Sequence, residues 1–125
     1  MSQKLRDTKI SVATTDGAAT ETVCTSDAIP DGSTVLLDLT LIGRNTVTGD
    51  SGACRGTAVA KRAAGGQVTV FVPPVLALTF AAGSEPALAT CAMVLDVSGN
   101  ALRLRATGVA LHTIEWLGVM GLAIN

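Results

Sequence analysis

The chain of 125 residues predicts an all-β fold, an antiparallel β-sandwich or jelly-roll-like domain of about eight or nine strands. Three observations predict it. Short aliphatic and β-branched runs recur at spacings of about ten residues. The breaks between them are Asp-Gly, Pro-Asp-Gly, Gly-Gly and Ser-Gly-Asn, which is turn chemistry. No stretch carries the i, i+3, i+4 apolar spacing of a convincing amphipathic helix.

Residues 10–14 and 20–25 are short strands separated by Asp16-Gly17, a pair that tolerates the positive φ of a hairpin turn. Ile29-Pro30-Asp31-Gly32-Ser33 is a stronger turn, with Pro30 fixing φ and Asp31-Gly32 reversing the chain. It launches a strand at 34–44 with Val35, Leu37, Leu39 and Leu41 on one face and Leu36, Asp38, Thr40 and Ile42 on the other. Residues 43–56 form a Gly-rich loop, and residues 54–63 resume an extended segment. The uncharged window 63–84 has about the length of a membrane-spanning helix. Gly65-Gly66 opens it and Pro73-Pro74 interrupts it, so it reads as two buried strands at 67–72 and 75–80, and no membrane partner is expected. After a loop at 81–87 come a strand at 88–97, the turn Ser98-Gly99-Asn100 and a strand at 101–107. In that strand Leu102, Leu104 and Ala106 alternate with Arg103, Arg105 and Thr107.

The last strand is apolar on both faces. Ile114, Trp116, Met120, Leu122 and Ile124 share one, while Leu117, Val119 and Ala123 occupy the side where an isolated small domain places polar residues. Something must cover that second face: a second layer of the same chain, another copy of the chain (a dimer or trimer) or a larger partner would each do so. The candidate contact residues are therefore Leu117, Val119 and Ala123, with Arg103 and Arg105 on their strand face and Val75 and Leu76 in the apolar run.

Composition agrees. Hydrophobic residues make up 48% and charged ones 15%, with two Phe, one Trp and no Tyr, so the core must be built from aliphatic side chains. Residues 63–125 carry only Glu85, Asp96, Arg103, Arg105 and Glu115 as charges, a poverty that suits surface covered in an assembly. The net charge of −1, with Lys61-Arg62 as the longest basic run, gives no electrostatic case for nucleic acid or an anionic membrane. Residues 1–9 hold Lys4, Arg6, Asp7 and Lys9 but little apolar surface, and predict a flexible arm ahead of a single domain at 10–125. They also lack the apolar core of a signal peptide, which predicts synthesis in the cytoplasm.

Motifs for chemistry are sparse, and the sequence predicts no catalytic residues, cofactor or metal. Cys24, Cys54 and Cys91 are odd in number and without CxxC spacing, which reads as buried free thiols. Gly49-Asp50-Ser51-Gly52 echoes the nucleophile tetrapeptide of trypsin-like proteases, yet the sole histidine, His112, follows the serine and reads as a turn residue far from it. Asp27, Asp31 and Asp50 lie in polar loops without the spacing of a calcium loop and read as turn formers. Arg103 and Arg105 predict a lateral ion pair with Glu115 on the next strand, or contact with acidic groups on a neighbouring subunit. Trp116 reads as a core anchor, and the lack of companion aromatics leaves no platform for a sugar.

Several motifs in a fixed order resemble a β-rich module of tailed-bacteriophage virion proteins. They are the run from Ile29-Pro30-Asp31-Gly32 through the long strand to Arg44, the Gly-rich loop, and Gly65-Gly66-Gln67-Val68-Thr69-Val70. Leu95-Asp96-Val97-Ser98-Gly99-Asn100, Leu102-Arg103-Leu104-Arg105 and Thr113-Ile114-Glu115-Trp116 follow. The resemblance spans roughly residues 28–124 and departs around 70–80, where Pro73-Pro74 sits in a more apolar setting. It implies a non-enzymatic structural virion protein that acts as an oligomer, with the major capsid protein or other virion subunits as partners. The lack of a fibre repeat or heptad pattern points to a capsid decoration (cement) protein. A head- or tail-fibre or baseplate module, and a ligand- or glycan-binding sandwich, are the alternatives.

Overall fold

The computed structural model describes residues 5–125. In chain order its strands are β1 (Leu5–Asp16), β2 (Thr20–Thr25), β3 (Thr34–Asn45), β4 (Ser51–Arg62), β5 (Val68–Val72), β6 (Thr79–Phe80), β7 (Ala92–Ser98), β8 (Ala101–Thr107) and β9 (Thr113–Ile124). They form two antiparallel sheets around one core. The larger has the order β1-β9-β3-β4-β5, with β6 also paired to β4, and the smaller has the order β2-β8-β7.

The turns set the register. Gly32 takes φ 71°, and the Ser33 hydroxyl donates to the Pro30 carbonyl at 2.6 Å, closing the reversal that starts β3. Arg62, at the end of β4, ties this turn to the next one. Its Nη1 donates to the Ile29 carbonyl at 2.9 Å and its Nε to the Gly66 carbonyl at 3.0 Å, while the Asp31 carboxylate accepts the Gly65 N–H at 2.6 Å. With both ends of the β3–β4 hairpin held, Val35, Leu37, Leu39 and Leu41 point inward and are buried as the alternation predicts.

Trp116 anchors the inner face of the larger sheet. Its ring lies flat over Gly43 on the neighbouring strand, so close that a Cβ there would overlap the indole, and its Nε1 donates to the buried Thr15 hydroxyl at 2.8 Å. Phe80 covers Gly52 in the same manner, a Cβ there falling 2.8 Å from the ring. The smaller sheet closes the core with Leu102, Leu104 and Ala106. Val23 joins them, reaching β9 over the bare Cα of Gly118.

Several boundaries differ from the sequence reading, and the loop expected at 43–56 narrows to 46–50 between β3 and β4. The arm expected at 1–9 is strand from Leu5 onward, paired with β9 from Leu5 opposite Ile124 to Lys9 opposite Met120, and Met1–Lys4 lie outside the described residues. Main-chain partners along the whole length of β9 order a segment that has little apolar surface of its own. The strand expected at 75–80 shrinks to Thr79–Phe80, the two residues that pair with β4, opposite Ala53 and Gly52. The strand expected at 88–97 begins at Ala92, after a 3-10 turn (Pro86–Thr90) that opens on proline and buries Leu88.

Candidate interaction surface

The outward side of the larger sheet is built by alternate residues of four adjacent strands. Cross-strand pairing places Val12 of β1, Leu117 of β9, Ile42 of β3 and Ala53 of β4 in one row. The next row holds Ile10, Val119, Thr40 and Arg55, and two rows further along Ala123 lies beside Leu36, which lies beside Val59. Directly opposed residues project to the same face, so the first two rows form one patch, and the row of Thr8, Gly121, Asp38 and Thr57 separates it from Ala123, Leu36 and Val59. Ile10 is 68% exposed, Val12 55%, Leu36 49% and Ile42 42%, whereas Leu117, Val119 and Ala123 are half-buried among them. Single exposed aliphatics are ordinary; a contiguous field of them on a sheet face is not. Thr8, Thr14 and Thr57 border it, and Glu115 faces Arg44 across the β9–β3 ladder.

The other expected contact residues lie elsewhere. Arg103 and Arg105 stand on the outer face of the smaller sheet. Arg103 forms a two-pronged pair with Asp96 of β7, Nε to Oδ1 at 2.8 Å and Nη2 to Oδ2 at 2.9 Å, and this partner raises its pKa. Arg105 reaches the same carboxylate at 3.8 Å, and its buried Nε has no hydrogen-bond partner among the described residues. The expected pairing with Glu115 is therefore corrected: β8 lies between β2 and β7, and the chain crosses to the other sheet before β9 begins. Val75 is 83% exposed beside the β4 edge. Leu76 packs against the core over Gly56, where a Cβ would sit 2.9 Å from its Cδ2. The seven residues thus occupy three separate places: Leu117, Val119 and Ala123 on the outer face of the larger sheet, Arg103 and Arg105 on that of the smaller, and Val75 and Leu76 beside β4.

The residues with possible chemistry are occupied in structural contacts. Asn45, buried at the end of β3, accepts the N–H groups of Val47 and Thr48 through Oδ1 at 2.9 and 3.0 Å. Its Nδ2 therefore donates to His112 Nδ1 at 2.7 Å, which leaves the proton of the neutral ring on Nε2. Ser51 donates to the Gly49 carbonyl at 3.0 Å. Ser51 and His112 lie at the same end of the sandwich, since Asn45 follows Arg44, the ladder partner of Ser51. Each polar atom nevertheless has a different partner. Asp27 pairs with Lys9 at 3.0 Å, Asp31 lies 3.8 Å from Arg62, and Asp50 accepts the Glu85 N–H at 3.2 Å, so the three loop carboxylates serve separate turns. Cys24, Cys54 and Cys91 are free and buried, and burial pushes all three thiols up.

Sequence reasoning placed Leu36 and Ile42 on an outer face and missed Ile10 and Val12 as part of the same patch. The missing information was the pairing of β1 with β9, a contact between the two ends of the chain. No helix among the described residues is long and apolar enough to cross a membrane.

No family model matches the chain, and no curated protein matches it. Among solved structures it is similar to the tailspike protein of Acinetobacter baumannii phage AM24, with a TM-score of 0.58 at 13% identity. The match covers 95% of this chain and 26% of that one, so the chain spans about a quarter of the tailspike's length. At this identity the likeness is one of fold: two antiparallel sheets arranged as a sandwich.

Proposed function

We propose that the chain is a non-enzymatic structural protein of a tailed-phage virion, acting through protein contacts on the faces of its sandwich. The observation that carries this reading is the likeness of 95% of the chain to part of a tailspike, in agreement with the motif order from Ile29 to Trp116. A module that serves as a spacer or clamp needs a stiff core and adhesive surface rather than assembled titratable groups. The inward rows of β3 and β9 supply the first, and the apolar outer face supplies the second.

Two placements follow. Decoration of the capsid shell, with the major capsid protein as partner, fits a compact sandwich without shaft repeats. The tailspike likeness favours the second, a module of a tail appendage, because there the fold accounts for 26% of a longer chain. The test is co-sedimentation of purified protein with separated capsid shells and tails of the phage that encodes it. Binding to shells supports decoration, binding to tails supports the appendage, and binding to neither overturns the virion reading.

A further inference from the structure

We infer that the outer face of β1, β9, β3 and β4 is the contact between two copies of this chain, paired about a two-fold axis that runs along the strands between β9 and β3. The inference rests on the layout of the face and is independent of the virion reading.

Most of the face is self-complementary about that line; the row of Val119 is the exception, where Ile10 meets Arg55 and Val119 meets Thr40. Rotation about it lays β3 of the second copy over β9 of the first and β4 of the second over β1 of the first. Because ladder partners share a row, Glu115 then meets Arg44 of the second copy, and Arg44 meets its Glu115. Leu117 meets Ile42 in the same way. In the row of Leu117, Val12 on β1 meets Ala53 on β4. Ala53 lines a shallow depression with Ile42, Gly52, Thr79 and Phe80, and Val12, 55% exposed, projects into it. Ala123 meets Leu36, and Asp38 meets Gly121, which leaves room for the carboxylate.

Charge and area point to the same occupant. Glu115 and Asp38 are balanced on this face by Arg44 and Arg55, so it carries no single-sign field that would repel an identical surface. Four strands about 4.8 Å apart, over about nine residues of about 3.4 Å each, give on the order of 600 Å² per copy, near the lower end of specific interfaces. Copies related in this way stack with strands aligned, the arrangement that sheet twist favours for two packed faces. The pairing is isologous and closes at two copies.

The test uses two charge-reversed chains. Wild-type protein in sedimentation equilibrium is expected at twice the 12.6 kDa of the chain. Glu115→Arg places arginine opposite arginine, and Arg44→Glu places glutamate opposite glutamate, so each variant alone is expected to sediment as a monomer with an unchanged circular dichroism spectrum. Mixed in equal amounts, they are expected to recover the dimer, because every contact then joins opposite charges. A role for the two residues within one chain cannot produce that recovery. A monomeric or trimeric wild type, variants that dimerise alone, or a mixture that stays monomeric would each overturn the inference. Should either variant fail to fold, Leu36→Ser with Ile42→Ser, both on the exposed face, is expected to give a folded monomer, and a folded dimer there overturns it equally.

Discussion

The indole Nε1 of Trp116 donates to the hydroxyl of Thr15 at 2.8 Å with both residues fully buried, which joins the first strand of the chain to the last. An apolar isostere at 15 keeps the packing but leaves the indole N–H without a partner. Thr15→Val is expected to cost about 1–3 kcal/mol, read as a lowered denaturant midpoint at unchanged m-value. A neutral result would show that the indole finds another acceptor.

The other side of the same ring fixes Gly43. A Cβ at that position would overlap the indole, and neither the sheet backbone nor a fully enclosed tryptophan has room to yield. Gly43→Ala is expected to cost about 1–3 kcal/mol by overpacking. Gly99→Ala is a different case: it lies in a turn at φ 60° with open space around it, so its cost comes from the backbone alone. Thermal melts of the two variants with near-ultraviolet spectra separate the effects, since only the first perturbs the tryptophan signal.

Deleting residues 1–9 is expected to destabilise the fold, against what their composition suggests. The deletion removes the β1 partners of β9 from Ile124 to Met120 and uncovers one side of that strand. Deleting only residues 1–4 keeps every described pair and serves as the control. Equal melting temperatures for the two truncations would refute the account of β1.

Stability is expected to fall at alkaline pH. Burial raises the thiols of Cys24, Cys54 and Cys91 above their usual 9.0, so the folded chain holds these protons when the unfolded chain has begun to release them. Stability from this source is complete below 9.0 and is lost as pH rises through the folded values. Lys9, raised chiefly by its hydrogen bond to Asp27, loses its contribution in the same direction above 10.5. Urea titrations at about pH 7 and about pH 10 check this, and the triple variant Cys24→Ala, Cys54→Ala, Cys91→Ala is expected to show a shallower decline.

The sandwich and its inward rows were legible because alternation is a local property. Val35 to Leu41 and Leu102 to Ala106 state their face within a few residues, and Pro30-Asp31-Gly32 states its turn. What pairs with what was not legible. The Arg103 partner is Asp96 instead of Glu115 because β9 belongs to the other sheet, and no feature of residues 108–112 announces a crossing between layers. Leu117, Val119 and Ala123 were visible as an extra apolar face, but their neighbours Ile10 and Val12 lie more than a hundred positions earlier in the chain. A ladder between chain ends leaves no short-range trace.

The measurement that bears most directly on the structural reading is peptide mass spectrometry of purified, nuclease-treated virions of the phage that encodes the chain. The account predicts its peptides in intact particles at a fixed, multi-copy ratio to the major capsid protein, retained through high-salt washing. Peptides confined to the soluble lysate of infected cells, with none in the particles, would contradict it.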